Sequence, residues 1–167
     1  DCMHPALSVE GDRLYFASNM PGGYGGMDIY MVEKRNGRWL DPVNMGKDIN
    51  SPEDEAFPFM HDSGVLFFSS KGHGSSGGFD IFKIDLMKPK EKELVRLENP
   101  FNSPSDDIGF ILNSESTMGF FTSDRPGGKG RDDIYLFEVP AGIEDVEGYH
   151  TMNSVLEVYD ARTNRKI

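Results

Sequence analysis

The sequence predicts an all-β fold, a β-propeller fragment with three four-stranded antiparallel blades of about 52 residues in an incomplete ring. Three observations predict it. The motif Gly25-Gly26-Met27-Asp28-Ile29-Tyr30 returns as Gly77-Gly78-Phe79-Asp80-Ile81-Phe82 and again as Gly130-Arg131-Asp132-Asp133-Ile134-Tyr135. The apolar runs Leu14-Tyr15-Phe16-Ala17-Ser18, Leu66-Phe67-Phe68-Ser69-Ser70 and Gly119-Phe120-Phe121-Thr122-Ser123 keep the same step, and Asn50-Ser51-Pro52 returns as Asn102-Ser103-Pro104. The 19 Gly and 10 Pro cluster between these short runs, the punctuation of strands joined by tight turns.

Within one period the elements follow in order. The first strand is Ala56 to Met60, then comes the turn His61-Asp62-Ser63-Gly64, and the second strand is Val65 to Ser70. A Gly-rich loop, 71 to 78, precedes a third strand beginning at Asp80. In the first period that strand, Ile29 to Lys34, runs into Asn36-Gly37, the pair best suited to a type I′ hairpin, and so to a fourth strand near Trp39. A four-stranded meander cannot bury both faces alone, whereas radially stacked copies can, which is the propeller solution. No segment carries a 3.6-residue apolar period over ten or more residues, so helices are not expected.

These landmarks divide the chain into propeller repeats at 1–139, with blades at about 1–45, 46–98 and 99–139. Residues 140–167 read as an acidic linker and the first strand of a following β-sandwich-like domain, although Val155 to Tyr159 could instead supply the outer strand of the third blade. Asp1 aligns with Asp54 and Asp106, and three blades fall short of the usual four to eight. Further blades before residue 1, or another copy of the chain, are therefore expected to complete the ring.

With 12 Phe, 6 Tyr and Trp39 the chain can furnish a core. Its net charge of −11, from 28 acidic and 17 basic residues, repels a phosphate backbone, so nucleic acid is not an expected partner, nor is direct insertion into a membrane. No apolar run reaches the length of a bilayer span. Cys2 is the single cysteine, which excludes an intrachain disulfide framework and a cysteine-based metal site. It is expected to be a buried or incidental thiol.

The pattern resembles the WD-like repeats of TolB-type propellers, as they occur in OmpA-family envelope lipoproteins with a peptidoglycan-binding end. The residues that carry the resemblance are Leu14-Tyr15-Phe16, Ser18-Asn19, Pro21 to Gly26, Asp28-Ile29-Tyr30, Trp39, Pro42 to Gly46 and Ile49 to Pro52, and it covers roughly residues 1–139. It implies a periplasmic, non-catalytic module, associated with the outer membrane in its parent protein and bound to an envelope protein or peptide, as in the type IX secretion system. Peptidoglycan would be reached only through a domain outside this stretch, and the domain after the propeller would be of the carboxypeptidase-regulatory-like type.

No catalytic residue, cofactor or metal site is expected. Asp28, Asp80 and Asp133 could ligate a cation beside their Gly-rich loops, but a carboxylate that opens every third strand is better read as accepting N–H groups of the turn before it. Gly25, Gly77 and Gly130 belong to the same structural repeat. The loop 22–26 is followed by a strand, not by the helix that a phosphate cradle needs. His4, His61, His73 and His150 lack metal-ligand spacing, and no nucleophile-elbow pattern occurs. Glu53, Asp54, Glu55, Asp106 and Asp107 lead into innermost strands and could serve a glycosidase-like alternative, although capping of strand entries accounts for them.

In a propeller the loops between second and third strands, and those between successive blades, emerge on one rim. If that rim binds a partner, specificity lies where the blades differ, at Met20/Gly72/Arg125, Tyr24/Ser76/Lys129 and Gly26/Gly78/Arg131. Tyr24, Arg125, Lys129 and Arg131 are accordingly the candidate partner-binding residues.

Overall fold

The computed structural model describes residues 1–88, 93–139, 157–160 and 165–166, the last six as backbone only. Three antiparallel sheets follow one another along the chain, and no helix occurs among the described residues. The first sheet comprises β1 (Cys2–Leu7), β2 (Arg13–Ser18), β3 (Asp28–Arg35) and a divided outer strand, β4 (Arg38–Trp39) and β5 (Val43–Asn44). The second comprises β6 (Glu55–Met60), β7 (Val65–Ser70), β8 (Asp80–Asp85) and β9 (Val95–Arg96). The third comprises β10 (Asp107–Leu112), β11 (Met118–Ser123), β12 (Asp133–Glu138), β13 (Glu157–Asp160) and β14 (Arg165–Lys166).

The expected hairpin forms at Asn36-Gly37. Both residues take positive φ, 50° and 77°, as a type I′ turn requires, and Lys34 pairs with Trp39. Pro42 cannot donate to a ladder, and the outer strand resumes beyond it, where Val43 and Asn44 pair with Met31 and Tyr30.

One placement differs from the preferred sequence reading. Glu157–Asp160 pairs antiparallel with Glu138 to Tyr135, the outer-strand position of the third blade and not the start of a separate sheet. The exposed edge of β12 offers unpaired backbone groups, and the alternation from Val155 suits a strand there as well as it suits a new domain. The expected linker at 141–149, His150, and residues 89–92 of the second blade lie outside the described residues.

The sheets stack through apolar seams. Tyr15, Ala17 and Ile29 of the first blade meet Leu66, Phe68 and Phe82 of the second, while Phe67 and Ile81 on the other face of the second meet Phe110, Phe121 and Phe137 of the third. Phe67 stacks on Phe110 at 4.7 Å, and Phe110 on Phe137 at 5.1 Å. Period-2 alternation along each strand supplies these two faces, so one blade contributes to two seams.

Candidate functional site

The rim loops are built from the repeated residues. Asp28 accepts the backbone N–H groups of Tyr24 at 2.6 Å and Gly25 at 3.1 Å. Asp80 accepts that of Ser76 at 2.8 Å, and Asp133 those of Lys129 at 2.7 Å and Gly130 at 3.0 Å. A carboxylate four residues after a Gly-rich turn thereby closes the turn on itself, as the repeat suggested. Asn44 Nδ2 at 2.6 Å from Asp28 and Arg96 Nε at 2.6 Å from Asp80 tie the outer strands to the same groups.

Each loop is also latched to the next blade. Met27 donates its N–H to Asp54 Oδ1 at 3.0 Å, and its carbonyl accepts the N–H of Glu55 at 2.6 Å. Phe79 repeats the latch with Asp106 at 2.8 Å and Asp107 at 2.7 Å. The loop joining two blades thus leans against the loop within the preceding blade, and the two motifs share one rim. Gly25 and Gly77 permit this approach, because a Cβ at Gly25 would overlap backbone of Ser51 and Glu53, and one at Gly77 the carbonyl of Pro104.

The acidic residues of the inter-blade loops brace strand entries. Glu55, fully buried, accepts the Ser51 N–H at 2.8 Å and the hydroxyls of Ser51 and Ser70 at 2.5 and 2.6 Å. Asp107, also buried, accepts the N–H and hydroxyl of Ser103 at 2.6 and 2.8 Å. Asp54 Oδ2 takes a salt bridge from Lys71 at 3.1 Å. These carboxylates hold protein donors and do not converge on an open cleft, so the geometry gives the glycosidase arrangement no support.

Asn50 and Asn102 served the sequence reading only as landmarks of the repeat, with no structural task assigned to them. Asn50 accepts the Ile29 N–H at 2.7 Å and donates to the Ile29 carbonyl at 3.0 Å; Asn102 does the same to Ile81 at 2.7 and 2.9 Å. Each side-chain amide stands in for a strand residue beside the third strand of its blade.

Of the four candidate partner contacts, three are placed on the rim with exposed side chains. Tyr24 is 53% exposed, and Lys129 and Arg131 are exposed as well. Arg125 is a correction. Its guanidinium, only 14% exposed, donates to Asp107 Oδ1 at 2.6 Å and to the carbonyls of Pro100 and Phe101 at 2.7 and 2.8 Å. It also reaches Ser123 Oγ at 3.0 Å and lies over the rings of Phe121 and Tyr135. An arginine whose donors and flat faces are engaged inside its own blade is a brace, not a partner contact. Cys2 is exposed, its Sγ 3.5 Å from Ser18 Oγ, so that of the two readings, buried or incidental, the structure does not place it in the core.

Away from the rim loops, the innermost strands β1, β6 and β10 face a groove of about 430 Å³, lined by His4, Pro5, Phe57, Pro58, Gly109 and Ile111 among others. Each strand slips register at the same point, with His4, Phe57 and Gly109 at φ 54°, 51° and 65°. These are β-bulges with a left-handed residue, a conformation that glycine adopts freely and that His4 and Phe57 hold at some cost. His4 stacks on Phe57 at 3.7 Å, and its Nδ1 accepts the Phe57 N–H at 3.4 Å.

Burial holds the His4 imidazole below its ordinary value. The unfolded chain then binds more protons than the folded one below about pH 6.5, so this contribution to stability is complete above that pH and lost as pH falls toward the lowered folded value. Urea midpoints measured from pH 7.5 to 5 should decline less steeply in His4→Asn, a change that tolerates positive φ and does not titrate there. Equal slopes would remove His4 from the account.

No family model matches the chain, and no curated protein does. Solved structures do match, and they show its fold to be that of TolB-type propellers. TolB from Acinetobacter baumannii superposes with a TM-score of 0.59 at 15% identity, over 94% of this chain and 32% of that one. A TolB homologue from Agrobacterium tumefaciens gives 0.56 at 11% identity, over 100% and 48%. A puromycin-hydrolysing peptidase from Mycobacterium tuberculosis gives 0.55 at 13% identity, over 100% and 28%. The chain therefore spans less than half the length of each of these proteins.

Proposed function

We propose that this propeller segment is a non-catalytic scaffold that holds a protein or peptide on its rim. The observation that supports this reading most is a division of labour. Residues repeated in every blade are spent on turns and latches, whereas Tyr24, Lys129 and Arg131, which differ from blade to blade, stand exposed on the same rim. An aromatic and two basic side chains exposed on the rim are what a partner of mixed polar character would meet. The TolB likeness bears on fold, and function is argued from the site.

The sequence resemblance extends the proposal to a periplasmic, outer-membrane-associated parent of the PorE-like, OmpA-family lipoprotein type, acting in a secretion-system or peptidoglycan-anchored assembly. The test is quantitative cross-linking in envelope extract with wild type and with the triple variant Tyr24→Ala, Lys129→Glu, Arg131→Glu. Loss of one defined envelope protein by at least about tenfold, with unchanged thermal midpoint, is the expected result. Equal capture would overturn the rim assignment. Turnover of a glycoside by the wild type, lost on changing a rim carboxylate, would replace the scaffold reading with an enzyme.

A further inference from the structure

The bulges of the three innermost strands share a backbone and differ in side chain. His4, Phe57 and Gly109 occupy the same position of the repeat, at φ 54°, 51° and 65°. Glycine takes this conformation freely, whereas a phenylalanine there is an outlier. Backbone strain of this kind persists where the surroundings or a function require the side chain. The Phe57 ring is held from two sides, stacked with the His4 imidazole at 3.7 Å and 21° between planes, and in an edge contact with Phe79 at 6.4 Å.

The stack ends at the third blade. β6 packs against β1 on one side and β10 on the other, and His4 of the first blade covers Phe57 of the second. The same step from Phe57 leads to Gly109, which carries no ring to continue the stack. Crowding is not the reason, because among the described residues a Cβ at Gly109 would meet Thr122 Oγ1 at 3.7 Å, an ordinary contact. Nor is the backbone the reason, since Phe57 holds nearly the same φ with its ring. The place beside Phe57 that a third ring would take is therefore part of the groove that these strands line.

Among the described residues that line the groove, none carries a carboxylate, an ammonium or a guanidinium group, and Pro5, Pro58 and Ile111 are among its apolar walls. A charged ligand would lose hydration there without gaining an ionic partner. His4 supplies a polar side chain. Its Nδ1 accepts the Phe57 N–H at 3.4 Å, which puts the proton on Nε2, and that donor has no partner among the described residues. We propose that the groove binds a neutral, planar, fused-ring aromatic compound with one hydrogen-bond acceptor. Its rings lie against Phe57 above Gly109, and its acceptor takes the Nε2–H of His4. The groove has room for substituents beyond those rings. This site is separate from the rim that carries Tyr24, Lys129 and Arg131.

The test is an amide NMR titration of the 167-residue chain with coumarin as probe, beside naphthalene and cyclohexanone. Coumarin is expected to shift His4, Phe57, Gly109 and Ile111, and cyclohexanone, an acceptor without an aromatic ring, is not. Naphthalene, a fused ring without an acceptor, should bind about fivefold more weakly than coumarin. That preference should vanish in His4→Phe, which keeps a ring and removes the donor. Gly109→Phe, which installs the residue of the second blade, should weaken coumarin binding about tenfold or more by filling the ligand's place. Coumarin shifts that map elsewhere, cyclohexanone binding as tightly as coumarin, or a folded Gly109→Phe protein with unchanged binding would each overturn the proposal. Should Gly109→Phe fail to fold, the preference for coumarin decides, its survival in His4→Phe overturning the assignment and its loss upholding it.

Discussion

Replacing Arg125 with Met is expected to cost about 3–5 kcal/mol in urea unfolding, the range for stranding one member of a buried ion pair. Asp107 is wholly buried and would keep, among the described residues, its bonds to Ser103, while the carbonyls of Pro100 and Phe101 would lose their charged donor. The second blade shows what the carboxylate needs without an arginine. There Glu55 is surrounded by Ser51 and Ser70 hydroxyls, and Gly72 stands in the place of Arg125. Exchanging Asp107 for Asn in the Arg125→Met background removes the stranded charge and should recover part of the loss. If Arg125→Met kept wild-type stability while partner capture fell, the rim role that the sequence suggested for Arg125 would return.

This residue also marks the limit of what could be read in advance. Asp28, Asp80 and Asp133 were legible because their partners lie three or four residues earlier in the same turn, where local geometry is a property of sequence. The Asn36-Gly37 hairpin was legible for the same reason, as was the existence of three blades, since a period of 52 needs no knowledge of contacts. Arg125 was read as a rim contact because difference between blades was taken as a sign of recognition. Difference can also repair a local change, since here an arginine satisfies Asp107 where the second blade uses hydroxyls. Asn50 and Asn102 were seen as a repeated motif, yet their partners Ile29 and Ile81 lie 21 residues away, and only the folded sheet brings them together.

Gly77→Ala and Gly130→Ala should separate the two reasons for a repeated glycine. Both residues precede the aspartate of their blade by three positions, and neither requires positive φ, so a local explanation predicts equal effects. At Gly77 a methyl group would overlap the carbonyl of Pro104, and its Cα would be 2.9 Å away, so the backbone of the inter-blade loop would have to move. That loop is held by the Phe79 latch to Asp106 and Asp107, and displacing it should cost about 1–3 kcal/mol or more. At Gly130 the nearest atom among the described residues is the Asp132 carbonyl oxygen at 3.5 Å, an ordinary contact. Alanine there should be neutral within about 0.5 kcal/mol, or slightly stabilising through the unfolded chain. Thermal and urea unfolding of the two variants decide the matter. A large effect at Gly77 alone means that the glycine serves the approach of one blade to the next, so that the rim carrying Tyr24 and the latches is a single packed unit. Equal effects would place the requirement inside the turn, and the rim would then be a row of independent loops.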